Sequence, residues 1–162
     1  MTSPRNVLFL CTGNSARSIL AEAILRHLGA GRYHAFSAGS MPAGVPNPAA
    51  IATLQARGLD YSFARSKSWD EFAGDDAVTM DLVITVCANA AGEVCPLWPG
   101  HPHTAHWGVE DPAAVIGSQQ DIMTAFSLTY DQMKARVEAL LALDEAPLAE
   151  LMPRIREIGN LP

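Results

Sequence analysis

Short apolar runs alternate along the chain with stretches in which apolar residues recur at helical spacing. The run 7–10 is apolar and is followed by a glycine turn, which predicts a buried strand over 6–10. After Gly13 the period changes, and apolar residues from Ile19 to Leu28 recur on one side of a predicted helix. The same patterns predict strands over 33–38, 82–86 and 104–108, a helix from Pro48 behind the N-cap Asn47, a helical turn over 69–72, a long helix over 122–141, and a helical tail after Pro147 that Pro153 interrupts.

Strands that alternate with helices are typical of parallel βαβ units. The sequence therefore predicts an α/β fold, a three-layer sandwich with a small parallel sheet, in one domain over 1–162. Ligands of such sheets bind beyond the carboxyl ends of the strands. Cys11 and Cys87 each follow a predicted strand, so we expect them near the same edge.

Composition narrows the classes of function. Lys and Arg number 11 against 17 Asp and Glu, a net charge of −6 that argues against a nucleic-acid or anionic-membrane partner. No apolar run has the length of a signal-peptide core or a membrane span, so we expect a cytoplasmic protein with reduced thiols. The chain has three cysteines, an odd number that cannot all pair within it.

The segment 11–18 carries the strongest chemical signal. It joins a strand to a helix, so its backbone N–H groups can converge on one point at the positive end of the helix dipole. Arg17 adds a planar fork of donors that suits a tetrahedral oxyanion, and Ser18 can hydrogen-bond to the sulfur of Cys11. These groups stabilise a thiolate, which makes Cys11 a candidate nucleophile toward a phosphate-like anion. Cys11 alone would favour a buried structural cysteine, but the whole string favours function. The predicted substrate-binding residues are Thr12, Gly13, Asn14, Ser15, Ala16 and Arg17.

Other candidates have competing interpretations. Asp111, before Pro112, is a possible general acid, although an Asp-Pro turn is the commoner meaning of that pair. Cys87 and Cys95 flank a run of small and polar residues, so they could exchange a disulfide with Cys11 or simply lie in the core. Zinc binding by these cysteines with His101, His103 and His106 is a further alternative, but the spacing matches no closed zinc pattern.

The chain resembles the thioredoxin-coupled arsenate reductases built on the low-molecular-weight protein tyrosine phosphatase fold. The loop 11–18 is shared with the phosphatases, whereas Cys87, Cys95 and the string Trp-Gly-x-x-Asp-Pro over 107–112 point to the reductases. The resemblance runs from the first strand to the long helix. It also includes Ser37-Ala38-Gly39.

The resemblance implies a specific reaction. Cys11 would attack arsenate while Asp111 protonates the departing oxygen, and Cys87 would attack Cys11 to release arsenite. Cys95 would then attack Cys87, and external thioredoxin, or glutaredoxin with glutathione, would reduce the Cys87–Cys95 disulfide. The resemblance implies no bound redox cofactor, because two thiols supply two electrons.

Three positions depart from the family pattern. Ala16 stands where some relatives have an additional cysteine, and the Cys87–Cys95 spacing is one residue longer than in thioredoxin-coupled members, which leaves the reductant open. Some members bind potassium near residues that match Asn14, Glu22 and Ser37. A further acidic ligand is missing here, since Trp69 follows Ser68, and this argues against potassium.

Two other functions remain open at this point. A phosphatase of the same fold would use Cys11, Arg17 and Asp111 in the same way, but its loop beyond Asp111-Pro112 usually holds tyrosines, where this chain has Ala113-Ala114. A non-catalytic oxyanion-binding module would not require the nucleophile.

Overall fold

Four parallel strands form one sheet in the computed structural model, which describes residues 3–87 and 100–162. The strands are β1 (Arg5–Cys11), β2 (Tyr33–Gly39), β3 (Leu82–Thr85) and β4 (His103–His106), in the order β2-β1-β3-β4. In the register of β1 with its neighbours, Cys11 lies opposite Gly39 and Leu10 lies opposite Thr85. The ends of β1 and β3 therefore meet at one edge of the sheet, as the sequence predicts.

Four α-helices and two 3₁₀ helices accompany this sheet in the described residues. The α-helices are α1 (Arg17–Leu28), α2 (Pro48–Ala56), α3 (Gln119–Leu141) and α4 (Leu148–Ile158), and the 3₁₀ helices are Trp69–Phe72 and Pro112–Ala114. The start of α2 follows the predicted rule, because the Asn47 side chain accepts a hydrogen bond from the N–H of Ala49 at 2.8 Å. A capping box between Ser118 and Asp121 begins α3.

Alternating residues of β1 separate the core into two clusters. Val7 and Phe9 pack with residues of all four α-helices, whereas Leu8 and Leu10 pack on the other side with Phe72 of the first 3₁₀ helix. The sheet thus lies between a large helical layer and a small layer that includes Trp69–Phe72. The predicted α/β fold with a small parallel sheet is confirmed.

The predicted interruption of the last helix is wrong. Helix α4 runs through Pro153, which the sequence suggested as an interruption. The proline removes one backbone hydrogen bond but lies on the exposed face, while Leu151, Met152 and Ile155 on the opposite face are buried in the core. Burial of that face compensates for the lost bond.

In the described part of the chain no helix has the length and apolar character of a membrane span.

Candidate active site

Cys11 ends β1, one of the two interior strands, and is only 4% exposed. Its Sγ lies 2.9 Å from the Oγ of Ser18, in the first turn of α1. The Ser18 oxygen accepts a hydrogen bond from Asn14 Nδ2 at 2.8 Å, so the hydroxyl proton is available for the sulfur. Ser18 can therefore donate to a Cys11 thiolate and stabilise it.

The backbone of the loop 12–16 is anchored by hydrogen bonds to its carbonyl oxygens. The Thr12 and Gly13 carbonyls accept from the N–H groups of Met41 and Ala43 at 2.9 Å, and the Ser15 carbonyl accepts from Asn47 at 2.8 Å. In a trans peptide the C=O and N–H groups point in opposite directions. The following N–H groups therefore face the other side of the loop, where they can bind an anion together with the N-terminus of α1.

Asn14 holds the centre of this loop in an unusual backbone conformation. Its φ angle is 44°, in the left-handed region that asparagine tolerates better than most residues, and its side chain is fully buried. Besides its bond to Ser18, Nδ2 donates to Ser37 Oγ at 2.9 Å, and Oδ1 accepts from the backbone N–H of Lys67 at 2.9 Å. Asn14 thus links the loop to β2 and to residue 67, a structural role that its predicted place among the substrate-binding residues did not include.

Arg17 and Asp111 meet although they are distant in the sequence. Arg17 Nη2 lies 3.7 Å from Asp111 Oδ2, and Arg17 Nη1 donates to the carbonyl of Val109 at 3.2 Å. Asp111 is 42% exposed and caps the 3₁₀ helix after it, with Oδ1 accepting from the N–H of Ala113 at 3.0 Å. The predicted acid therefore lies at the same site as the predicted oxyanion-binding arginine.

Trp107 anchors the segment that carries Asp111. Its side chain is fully buried and its Nε1 donates to the carbonyl of Ile155 in α4 at 2.9 Å. Its backbone N–H donates to Thr85 at 2.7 Å, and the N–H of Val109 donates to Val86 at 3.2 Å. The tryptophan and these two backbone bonds hold the segment beside the end of β3.

Cys87 follows β3 and is 1% exposed. Its Sγ accepts a hydrogen bond from the backbone N–H of Thr12 at 3.3 Å, so the structure brings this cysteine next to the Cys11 loop. Both thiols are free. Cys95 lies outside the described residues.

A buried polar cluster lies behind the loop. Ser37 Oγ donates to Glu22 Oε1 at 2.5 Å, and Arg26 contacts Glu22 Oε2 at 2.9 Å. Burial raises the pKa of Glu22 above its ordinary range, although Ser37, Lys67 and Arg26 act to lower it. Burial also lowers the pKa of Lys67, against the opposing effect of the Glu22 carboxylate.

This cluster does not fit a potassium ion. The Nζ of Lys67 lies 3.4 Å from both Asn14 Oδ1 and Ser37 Oγ, and 4.0 Å from Glu22 Oε1. A potassium ion held by the same three side chains would meet this ammonium charge. In the sequence, a missing acidic ligand argued against potassium, and Lys67 was not recognised as a member of this cluster. The one available signal is that Lys67 is one of only two lysines in the chain.

The zinc alternative gains no support from the described residues. Within 3–87 and 100–162, no group of three or more His, Cys, Asp or Glu side chains has a metal-binding arrangement. Nδ1 of His106 instead lies 2.7 Å from Thr85 Oγ1.

Gly39 is a second residue whose role at the site was not evident from the sequence. A Cβ at this position would lie 2.5 Å from the carbonyl oxygen of Thr12 and 2.9 Å from the backbone nitrogen of Asn14. Only glycine permits this approach of β2 to the loop. A glycine that closes a predicted strand beside a chemically interesting loop was the available signal.

Known proteins match nearly the whole chain. A family model described as "Low molecular weight phosphotyrosine protein phosphatase" matches residues 6–151. The arsenate reductase of Shouchella clausii is 35% identical over 136 residues, which cover 84% of this chain and 94% of that protein.

Solved structures agree with this match. A structure described as an arsenate reductase in the phosphate binding state is 32% identical, with a TM-score of 0.69 over 85% of this chain and 97% of that one. The thioredoxin-dependent arsenate reductase of Corynebacterium glutamicum is 29% identical, with a TM-score of 0.59 over 85% of this chain and 63% of that one. The resemblance inferred from the motifs is confirmed. The chain belongs to the low molecular weight phosphotyrosine protein phosphatase family, among its arsenate reductase members.

Proposed function

We propose that this protein reduces arsenate to arsenite through a relay of Cys11, Cys87 and Cys95. The observation that carries the proposal is the position of Cys87, whose sulfur lies 3.3 Å from the backbone nitrogen of Thr12. A phosphatase needs one cysteine at this site, whereas a reductase needs a second thiol within reach of the first. The relatives described as arsenate reductases support the same activity.

The first step forms a sulfur–arsenic bond without any change of oxidation state. Arsenate binds the loop N–H groups and the Arg17 guanidinium. A relative described as an arsenate reductase in the phosphate binding state supports the binding of a tetrahedral oxyanion. The Cys11 thiolate, stabilised by Ser18, attacks arsenic, and Asp111 protonates the oxygen that leaves as water. Arg17 makes two contacts in this step: it binds the anion, and its Nη2 lies 3.7 Å from Oδ2 of the proposed acid, Asp111.

The second step reduces arsenic. The Cys87 thiolate attacks the sulfur of Cys11, the electron pair of the sulfur–arsenic bond passes to arsenic, and arsenite leaves. Arsenic gains two electrons, and the two thiols become a Cys11–Cys87 disulfide. Cys95 then attacks Cys87, which releases Cys11 as a thiolate and leaves a Cys87–Cys95 disulfide.

An external dithiol protein reduces the final disulfide. We propose thioredoxin, in keeping with the thioredoxin-dependent relative from Corynebacterium glutamicum, and glutaredoxin with glutathione as the second reductant to test. We propose a cytoplasmic location, because the relay starts from reduced thiols.

Arsenate turnover coupled to thioredoxin, thioredoxin reductase and NADPH tests this function. We expect arsenate-dependent NADPH oxidation by the wild type and none by Cys11→Ser, while Cys95→Ser releases at most one arsenite per protein and then stops. Parallel reactions with glutaredoxin and glutathione identify the reductant. Full turnover by Cys95→Ser would exclude the three-cysteine relay even if arsenate is reduced.

Hydrolysis of phosphate esters is the second candidate function, because the family model is that of a phosphatase and covers the shared loop. The same preparation is therefore assayed with p-nitrophenyl phosphate. Rapid hydrolysis of this ester, with no arsenate-dependent NADPH oxidation under either reductant, would assign a phosphatase instead.

A further inference from the structure

Five polar side chains form a buried cluster between the Cys11 loop and the segment that precedes the first 3₁₀ helix. Each is less than a tenth exposed, and Glu22 and Lys67 bring opposite charges into it. The members of this Lys67 cluster are Asn14, Ser18, Glu22, Ser37 and Lys67. Burial of so many polar groups is costly unless each has a partner, so the cluster requires an explanation.

The ammonium of Lys67 lies among oxygen atoms. Its Nζ donates to the carbonyl of Arg65 at 2.9 Å, and to Asn14 Oδ1 and Ser37 Oγ at 3.4 Å each. The carboxylate oxygen of Glu22 lies 4.0 Å away. Four oxygen atoms from four residues thus surround one cationic group. Oxygen atoms are the ligands that a hard metal cation prefers, and here the cation at their centre is the ammonium group of Lys67.

A continuous hydrogen-bond path leads from this cation to the nucleophile. Asn14 accepts from Lys67 through Oδ1 and donates through Nδ2 to Ser18 at 2.8 Å. Ser18 in turn lies 2.9 Å from the sulfur of Cys11. The orientation of the Asn14 amide decides whether Ser18 receives a donor, and therefore whether its own proton points at the sulfur.

The backbone holds Lys67 in this place. The N–H of Gly39, at the end of β2, donates to the carbonyl of Lys67 at 2.9 Å, and the N–H of Lys67 donates to Asn14 Oδ1. The position of the residue therefore does not depend on its side chain, which makes a substitution of the side chain informative.

We propose that Lys67 is a built-in cation that positions the loop 11–18 and takes the place of a free monovalent metal ion. Its charge adds to that of Arg26 in balancing Glu22. Its ammonium and its backbone N–H both donate to Oδ1 of Asn14, which holds the amide in the orientation that directs the Ser18 hydroxyl toward Cys11. Lys67 touches neither substrate nor the reacting atoms, so it is a positioning residue. The protein's activity is then independent of the monovalent cation in the buffer, and removal of the side chain creates an oxygen-lined cavity for such a cation.

The test compares wild type, Lys67→Ala and Lys67→Met in buffers that contain choline, potassium or ammonium as the cation. The first readout is the rate at which iodoacetamide alkylates Cys11, followed by peptide mass spectrometry. The second is the kcat of arsenate turnover, which rests on the proposed function. Since alkylation requires no arsenate chemistry, a wild type that fails to reduce arsenate refutes the proposed function alone.

For Lys67→Ala in choline we expect both rates to fall about tenfold or more, because displacement of a reacting group by a fraction of an ångström has effects of this size. Potassium or ammonium restores them to within about threefold of the wild-type rates, which do not respond to the cation. Lys67→Met fills the cavity and is impaired in every buffer. Lys134→Ala, at the exposed second lysine of the chain, behaves as the wild type throughout.

Two results would overturn the proposal. One is a Lys67→Ala variant as reactive as the wild type in choline, and the other is a folded but impaired variant that no cation restores. If Lys67→Ala is too unstable in choline for the rates to be measured at the assay temperature, its thermal unfolding midpoint decides instead. A rise of the midpoint in ammonium or potassium that the wild type lacks supports the built-in cation, and an equal response of both proteins contradicts it.

Discussion

The sulfur of Cys87 accepts a hydrogen bond from the backbone N–H of Thr12, the residue directly after Cys11, at 3.3 Å. Cys87 follows β3 and Cys11 ends β1, two strands that are neighbours in the sheet. Parallel pairing thus brings a second thiol to the loop 11–18 across 76 positions of sequence. In the proposed relay this thiol removes the covalent intermediate from Cys11.

Cys87→Ser therefore separates the two halves of the reaction. We expect steady-state arsenate reduction to fall at least about a hundredfold, because no thiol resolves the intermediate. We expect phosphate to protect Cys11 from iodoacetamide in this variant and in the wild type alike, since the loop and Arg17 are unchanged. NADPH oxidation and peptide mass spectrometry measure the two effects. Wild-type turnover by Cys87→Ser would show that Cys87 is not in the relay.

Arg17→Lys tests the two contacts of the guanidinium. Lysine keeps the charge but has no planar fork, so it cannot bind an oxyanion in two places while it contacts Val109 and Asp111. We expect kcat/KM for arsenate to fall about a hundredfold, with little change in unfolding midpoint. Arg57→Lys, whose partner is the exposed Asp131, is the matched control and keeps its activity. Equal activity of the two variants would contradict the assigned role.

Asp111→Asn tests the general acid. The amide retains the shape and an acceptor for the Ala113 N–H, but it supplies no proton to the leaving oxygen. The expected loss in kcat is about a hundredfold or more. Asp131→Asn, on the exposed face of α3, serves as the comparison. An unchanged kcat in Asp111→Asn would remove this residue from the chemical step.

Gly39→Ala tests the close approach of β2 to the loop 11–18. The added methyl group would lie 2.5 Å from the Thr12 carbonyl oxygen, a backbone atom that cannot move aside without distorting the loop. We expect a loss of about 1–3 kcal/mol in the free energy of unfolding, together with lower activity. Gly74→Ala, where a Cβ meets no atom within 4 Å, should have little effect on either quantity. Urea denaturation and the arsenate assay distinguish these outcomes.

Glu22→Gln tests the buried carboxylate through the pH dependence of stability. Burial raises the folded-state pKa of Glu22 above the ordinary value of 4.5, so the folded protein binds this proton more tightly than the unfolded chain does. The resulting stabilisation is complete below the unfolded value and is lost as the pH rises through the folded one.

Glutamine has no such titration. The free energy of unfolding of the wild type minus that of Glu22→Gln should therefore decrease as the pH rises from 4.5 toward neutrality. Urea denaturation at a series of pH values measures this difference. A difference that increases over the same range would contradict the direction of the pKa shift.

Local sequence patterns were sufficient for most of the fold. The apolar run before Cys11, the change of period after Gly13 and the Asn47-Pro48 start of α2 are properties of neighbouring residues, and the structure contains each element they predict. The exception is Pro153, where packing against the core outweighed a local preference. The free energy of a local backbone preference is small compared with that gained when an apolar face is buried.

The sequence by itself also determined the chemical character of the loop 11–18, because a cysteine, an arginine and a helix start within eight positions need no distant partner to meet. Only the tertiary structure decided which distant groups join them. The pairing of Arg17 with Asp111, the contact of Cys87 with Thr12 and the insertion of Lys67 behind Asn14 each cross more than 50 positions. Such contacts depend on strand order and on the burial of side chains by the whole core, which no local pattern specifies.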